Sequence, residues 1–280
     1  MQEQLESEIA AILRKTAQTE IERFLDLPPM TDGDLIAALT TVVQSMPAAA
    51  QIDRPLYQLM CCRVVAVSLD HGNCTVSAKG YGNFALILSQ LDRYQEAYRF
   101  GKLGVDLNER LDDMSMRSAV YFCFAALAAG WTQPIAESIE LFRHGIRYGL
   151  QAGDHAHVGY NAIRCITHLQ FSGNASARAG GAGADYEQLL HRVGARMNLD
   201  ILRPRMQLVR CLRGETNDLR TLNEPKPSTK PHTAPRSSHA AARLLVADYL
   251  GVLSHASLPH GRACSGARDR GRARGDCFPS

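Results

Sequence analysis

One stretch of the sequence, Tyr81 to Asp113, limits the fold of this chain more than any other. Its apolar residues recur at three- and four-residue spacing, which predicts two short helices with a turn at Gln90 to Arg93. Four small residues would allow two antiparallel helices to approach closely, because the side chains at a helix crossing set the distance between the axes. These residues are Ala85, Ala97, Gly101 and Gly104. The stretch therefore predicts a helical hairpin.

The hairpin resembles a tetratricopeptide (TPR) unit. A TPR unit places a large aromatic residue, a leucine and an Ala-x-x-x-Phe-x-x-Ala run at fixed positions, and Tyr81, Leu88 and the run that begins at Ala97 occupy these positions here. Glycine replaces two of the usual residues of the run, at Gly101 and Gly104. The resemblance implies a stack of helical hairpins.

The pattern of the hairpin recurs at an interval of 41 residues. Three predicted helix exits lie at nearly this spacing, at residues 68–73, 110–115 and 150–156. The interval is longer than a TPR unit of about 34 residues, so the units are better described as TPR-like. Because a single hairpin cannot bury its own apolar face, the recurrence predicts an all-α fold, a TPR-like superhelix of hairpins (an α-solenoid).

Composition and periodicity divide the chain into three regions. Residues 1–50 are expected to form N-terminal helices and a linker, and residues 51–215 the TPR-like repeats. Residues 216–280 are rich in Pro, Arg, Gly and Ser and are expected to be a disordered tail, in which Ala240 to Val252 forms one isolated short helix. Further helices are predicted at residues 4–25, 32–46, 56–69, 118–130, 157–171 and 186–209.

Two local features are expected to interrupt the helices. Pro47 is expected to end the second helix and to be followed by an extended segment. The glycine-rich run at residues 180–183 follows no strand and contains no lysine, so it is interpreted as a flexible loop and not as a phosphate-binding one.

Charge and hydropathy narrow the classes of partner. The net charge of +3 resides in the tail, where residues 221–280 carry 9 Lys or Arg against 4 Asp or Glu. Residues 1–220 therefore lack the basic face that is typical of a nucleic-acid-binding protein. The acidic, amphipathic N-terminus resembles neither a signal nor a transit peptide. No apolar run is expected to approach the roughly 18 residues of a membrane span. These features predict a cytoplasmic protein.

Several segments, in their order and spacing, resemble the helical-repeat region of large bacterial multi-domain sensor kinases. In those proteins a serine/threonine-kinase-like domain and an ATPase domain precede the repeats, and GAF or PAS sensors and a histidine kinase follow them. The resemblance covers about residues 4–215. It is carried by LDLPPMTD at 25–32, PLY at 55–57, SLDHGN at 68–73, YGNFALILSQLDRYQEAYRFGKL at 81–103, LQAGDHAHVGYNA at 150–162 and FSG at 171–173.

The resemblance implies a scaffold segment of a signal-transduction ATPase and protein kinase, with adjacent domains or other signalling proteins as partners. The sequence contains no P-loop, no kinase catalytic loop and no histidine-kinase motif, so the segment is expected to be non-catalytic and to need no cofactor. The tail departs from the family, which continues with further helical pairs, and a shifted reading frame would produce such a tail. Missing repeats would leave an uncapped apolar face and promote aggregation. The alternatives are a stand-alone TPR-like adaptor, a fragment without function, or an enzyme with an unrecognised site.

Three residues are candidates for the interaction surface: Tyr81, Tyr98 and Arg99. The competing interpretation is that the two tyrosines pack between helices. For an enzyme, Cys165 and His168 are the best nucleophile and base, since they lie three residues apart on one predicted helix, although a packed core explains them more simply. The eight cysteines have no paired spacing, and no metal site is predicted.

Overall fold

The computed structural model describes residues 2–172, 175–212 and 215, and within these residues the chain is all-helical, without a β-strand. Ten α-helices and two 3₁₀ helices follow one another in this part of the chain. The α-helices are α1 (Gln2–Thr16), α2 (Gly33–Ile52), α3 (Arg54–His71), α4 (Thr75–Gln90), α5 (Tyr94–Arg110), α6 (Met114–Leu127), α7 (Ile135–Ala152), α8 (His155–Phe171), α9 (Ala175–Arg192) and α10 (Arg196–Leu212). The 3₁₀ helices are Ile21–Asp26 and Ala129–Trp131.

Aspartates fix where four of these helices begin. Each side chain accepts a hydrogen bond from a backbone N–H of the first turn, which satisfies a donor that has no partner inside the helix. The capping residues are Asp32 of α2, Asp53 of α3, Asp113 of α6 and Asp154 of α8. In α4 the backbone N–H of Cys74 donates to the hydroxyl of Ser77 at 3.0 Å.

The helices begin at a regular interval along the chain. The even-numbered helices from α2 to α10 start at residues 33, 75, 114, 155 and 196, and the odd-numbered helices from α3 to α9 start at 54, 94, 135 and 175. Corresponding starts are therefore 39 to 42 residues apart, close to the interval of 41 found in the sequence. The predicted hairpin turn at residues 90–93 and the helix exits near Gly72 and Gly153 are confirmed.

Each helix from α2 onwards packs against the next one, and each even-numbered helix also contacts the next even-numbered helix. Close approach depends on small residues. As predicted for α4 and α5, a Cβ atom added to Gly104 would lie 2.6 Å from the carbonyl oxygen of Ala78 on α4. Gly101 was predicted to serve the same pair of helices but instead faces α6, because a Cβ atom there would lie 2.7 Å from the ring of Phe124. A side chain larger than hydrogen at either position would displace the neighbouring helix.

Buried apolar side chains form two clusters that meet at α6. The first extends from Leu5 of α1 to Ala129, and the second from Ala125 of α6 to Val209 of α10. Residues of α1 and α2 belong to the first cluster, so the N-terminal region shares its core with the helices that follow.

Two predictions near the N-terminus are wrong. The helix expected at residues 4–25 ends at Thr16, and a separate 3₁₀ helix then buries Ile21 and Phe24. Pro47 does not end α2, which continues to Ile52, so the expected extended segment is helical. Proline removes only one backbone hydrogen bond and kinks a helix, and the buried side chains of Met46 and Ala49 on either side of it hold the continuation in place.

This continuation makes α2 long and apolar enough to pass for a membrane span by length and composition. The expectation that no segment approaches this length is therefore wrong. In the structure α2 packs against α3 and α4 and buries Leu39, Val43 and Met46.

The glycine-rich run at residues 180–183 lies inside α9. The prediction that this run forms a flexible loop is therefore wrong. A Cβ atom at Gly183 would lie 2.0 Å from the sulfur of Met206, so this glycine admits a neighbouring helix. The helix expected at residues 186–209 is divided by Gly194, whose φ of +70° favours glycine. The predicted tail, including the helix at Ala240 to Val252, lies outside the described residues.

Candidate interaction surface

Tyr81, one of the three surface candidates, is fully buried, which excludes it from an interaction surface. Its ring packs near Phe100, with centroids 6.1 Å apart, and its hydroxyl donates to the side-chain oxygen of Asn73 at 2.8 Å. Burial raises the pKa of the Tyr81 hydroxyl. The helix period places Tyr81 on the side of α4 that faces the rest of the stack, so the packing interpretation is the correct one for this residue.

Asn73, the partner of Tyr81, joins two segments that are distant in the sequence. Its side-chain amide donates to the carbonyl oxygen of Phe24 at 2.7 Å, and its backbone N–H donates to the carbonyl oxygen of Pro28 at 2.9 Å. The backbone N–H of Met30 donates to the carbonyl oxygen of Asn73 at 2.8 Å. Residues 25–32 and 68–73, two of the motifs noted in the sequence, are therefore in direct contact.

Arg99 lies at the surface, but its guanidinium is engaged by the protein itself. Its Nε donates to Glu22 at 2.7 Å, and it also pairs with Glu20. This contact lowers the pKa of the Glu22 carboxyl. Further along α5, Arg110 donates to the carbonyl oxygen of Leu25 at 2.7 Å. The segment that contains the first 3₁₀ helix therefore covers one flank of α5.

Tyr98 faces the opposite flank of α5, where an open groove runs between α5 and α7 over α6. The groove has a volume of about 380 Å³. Its apolar lining includes Tyr98, Phe124 and Leu141, and the rings of Tyr98 and Phe124 lie 5.3 Å apart. Gly101 makes room for the Phe124 ring. We refer to this depression as the α5–α7 groove.

An aromatic cluster lies next to the α5–α7 groove, beside His144. Tyr121 of α6 is buried and lies 5.1 Å from Tyr148 and 6.0 Å from His144, both on α7. The guanidinium groups of Arg117 and Arg147 lie over the Tyr148 ring, at 5.5 and 5.3 Å from its centroid. Such cation–π contacts orient the ring, and Arg117 also pairs with Asp112 at 2.9 Å.

The α7 side of the α5–α7 groove is acidic. Glu137 and Glu140 line the pocket beside Ala136, and both side chains are exposed. Glu140 pairs with Arg143 at 2.5 Å, whereas Glu137 has no ion pair within the described part of the chain. The groove therefore offers an apolar floor beside a carboxylate that has no ion pair among the described residues.

A second depression, of about 470 Å³, lies between the end of α1 and α5. Its lining is polar, and two of its three arginines are paired within the chain, Arg93 with Glu96 and Arg99 with Glu20. It contains no aromatic side chain, so the α5–α7 groove is the stronger candidate surface.

Cys165 and His168, the nucleophile and base considered from the sequence, point to different neighbours. The thiol of Cys165 lies 3.6 Å from the hydroxyl of Tyr186, and burial raises the pKa of the thiol. The His168 ring packs against Phe142 at 4.9 Å, its Nδ1 lies 3.0 Å from the carbonyl of Arg164, and burial lowers its pKa to about 4. Among the described residues no group of three side chains is placed to hold a metal ion.

No protein-family model, curated protein or solved structure matches this chain. The geometry of the α5–α7 groove therefore carries the functional argument alone.

Proposed function

We propose that this chain is a protein-interaction module in which helical hairpins stack as a TPR-like solenoid and the α5–α7 groove binds a segment of a partner protein. The regular helix starts and the contacts between successive even-numbered helices support the stack. The observation that carries the binding proposal is the open groove itself, whose floor is the buried ring of Phe124 beside the half-buried side chains of Tyr98 and Leu141. Aromatic side chains are enriched in protein interfaces.

The opposite flank of α5 supplies an internal example of this type of binding. There the chain's own segment buries Ile21 and Phe24 and directs acidic side chains to Arg99 and Arg110. In the α5–α7 groove the charge beside the apolar floor is reversed, because Glu137 and Glu140 lie there. The occupant is therefore a segment with a large apolar side chain next to a Lys or Arg, since complementary charge sets register and specificity.

The sequence motifs support a signalling context for this module. In the multi-domain sensor kinases that these motifs resemble, the segment bound in the groove would come from an adjacent ATPase or kinase domain. Nucleotide-driven movement of that domain would then strengthen or weaken binding of the segment. In a stand-alone adaptor the same surface would bind a separate cytoplasmic protein. Both contexts make the same prediction for the groove.

The test is to pan a random peptide display library against the whole chain. We expect enrichment of sequences that combine a large apolar residue with a neighbouring Lys or Arg. Glu137→Lys should weaken binding of the enriched peptides by at least about tenfold, because like charges then face each other. Ala136→Trp should block the floor and remove binding.

Glu3→Lys serves as the matched control, because it makes the same charge reversal at an exposed site on α1. Its binding should equal that of the wild-type chain. Failure to enrich any related set of peptides would refute the groove as a binding site, as would enrichment that both groove variants leave unchanged.

A further inference from the structure

The helix α10 ends at the same end of the stack as the α5–α7 groove. Ala129, which lines the groove, comes directly after α6. The ends of α6 and α8 lie together, because a Cβ atom on Gly130 would lie 3.8 Å from Nε2 of His168. The ends of α8 and α10 also lie together, since the side chain of Gln170 donates to the carbonyl oxygen of Arg205 at 3.3 Å. The chain therefore leaves α10 on the side where the groove lies.

One segment of the tail carries an apolar stripe. Residues 240–253 read AAARLLVADYLGVL and include the helix predicted at Ala240 to Val252. At helical spacing, five large apolar side chains fall on one side: Leu245, Val246, Tyr249, Leu250 and Leu253. Arg243 falls at the edge of this stripe, whereas Leu244 and Asp248 fall on the opposite side. Amphipathic helices bind in grooves through side chains at this spacing.

The charges of the segment and of the groove are complementary. Glu137, beside the apolar floor, is exposed and has no ion pair within the described part of the chain. Arg243 lies next to large apolar residues, which is the combination that suits this carboxylate. Residues 221–280 as a whole carry 9 Lys or Arg against 4 Asp or Glu, so an acidic surface attracts the tail.

The tail is also long enough to reach the groove. Arg243 lies 31 residues after Leu212, the last residue of α10. A flexible chain of this length has an end-to-end distance of about 30 Å. The helix α8 packs against both α10 and α7. Because neighbouring helix axes lie about 8–10 Å apart, the distance between α10 and the α7 side of the groove is about 20 Å.

We propose that residues 240–253 bind in the α5–α7 groove of the same chain as an amphipathic helix, with Arg243 facing Glu137. This inference rests on the proposed function, since it names an occupant of the same groove. Tethering gives the segment a local concentration of about a millimolar, which suffices for a weak contact. The bound segment covers the apolar floor, so a partner segment must displace it and the tail lowers the affinity of the groove for partners.

The test measures binding of a fluorescently labelled synthetic peptide of residues 240–253 to whole-chain variants. Val246→Asp places a charge in the middle of the apolar stripe and should release the tail. This variant should bind the peptide at least about tenfold more tightly than the wild type, in which the tethered segment competes. Leu244→Asp is the matched control, because it adds the same charge on the opposite side of the segment, and it should bind the peptide as weakly as the wild type.

A charge exchange tests the contact between Arg243 and Glu137. Trp131, the one tryptophan of the sequence, is partly exposed beside the groove-lining Ala129, so its quenching by acrylamide reports whether the groove is covered. Arg243→Glu and Glu137→Lys should each increase the quenching, because like charges then face each other. The chain with both changes should return to the quenching of the wild type.

Equal binding of the peptide to the wild type and Val246→Asp would overturn this proposal, even where peptides from the display library bind and support the proposed function. Failure of the library peptides and of the tail peptide alike would reject the groove itself. Peptide binding to Val246→Asp that an added Glu137→Lys leaves unchanged would place the segment elsewhere. A dimer that forms with rising concentration and is lost in Val246→Asp would make a second copy the occupant, which also overturns the proposal.

Discussion

At the scale of single residues, Gly72 carries the contact between two distant motifs. Its φ of +94° belongs to the region that favours glycine, and a Cβ atom there would lie 2.1 Å from the carbonyl oxygen of Pro28. This oxygen accepts the hydrogen bond from the backbone of Asn73. A side chain at residue 72 would therefore strain the backbone and also separate the two segments.

We predict that Gly72→Ala lowers the free energy of unfolding by about 3 kcal/mol or more, because its backbone, with φ +94° and ψ 179°, lies in a region almost exclusive to glycine and the added Cβ would also meet Pro28. Gly153→Ala is the comparison for an ordinary left-handed helix end, since Gly153 has φ +73°, ψ 16° and no heavy atom within 4 Å of the added Cβ, and should lose about 1–2 kcal/mol. Urea denaturation of both variants measures the difference. Equal losses for the two would show that the backbone and the contact at Gly72 together add nothing to an ordinary left-handed cost.

A second prediction at this scale concerns His168 and pH. Burial lowers its pKa from 6.5 to about 4, so between these values the unfolded chain binds a proton that the folded chain does not. The contribution of His168 to the free energy of unfolding is therefore fully present above about pH 6.5. It falls by up to about 3 kcal/mol as the pH is lowered toward 4.

Urea unfolding at pH 7 and pH 5 tests this dependence. His168→Gln should lose less stability between the two pH values than the wild type, while His155→Gln, at an exposed position of α8, should keep the wild-type dependence. The same pH dependence in the wild type and His168→Gln would contradict the assignment.

At the scale of secondary-structure elements, glycine has opposite effects in two helices. In α5, Gly104 allows the backbone of α4 to approach, whereas in α9 a Cβ atom at Gly181 would meet nothing within 4 Å. Sequence periodicity does not distinguish these glycines, because their difference depends on which helix lies opposite.

We predict that Gly104→Ala destabilises the protein by about 1–3 kcal/mol, since α4 and α5 must separate to admit the methyl group. Gly181→Ala should instead stabilise it by about 0.5–1 kcal/mol, because alanine has the higher helix propensity. Both changes replace a helical glycine by alanine, so chemical denaturation of the pair isolates the effect of the neighbouring backbone. Stabilisation by Gly104→Ala would refute the close-packing argument.

At the scale of the whole molecule, the helices add one beside another with a nearly constant interval in sequence. One side of α10, the last helix among the described residues, carries Arg196, Asp200 and Arg203, which are all exposed, and Met197 and Ile201 leave apolar surface exposed nearby. The aggregation expected from an uncapped apolar face stays a prediction, which size-exclusion chromatography of the whole chain tests.

The candidate surface illustrates how unevenly a sequence reveals a site. Tyr98 was a candidate from the sequence, whereas Phe124 and Leu141 were not, because their apolar character fits a buried core. In the structure Phe124 is buried, and Tyr98 and Leu141 are half-buried. Tyr81 has the same residue type as Tyr98 and is fully buried. Helical spacing states which face a residue occupies, and only the position of the neighbouring helices decides whether that face is covered.

The sequence by itself determined the helical class, the interval of the hairpins, the turn at residues 90–93 and the helix ends at Gly72 and Gly153, because local periodicity, caps and glycines act within a few residues. Tertiary structure decided that α2 continues through Pro47, that the glycine-rich run is helical and that residues 25–32 contact residues 68–73. Each of these depends on burial against a distant segment, whose stabilisation exceeds the local preference of a proline, a glycine or an extended loop.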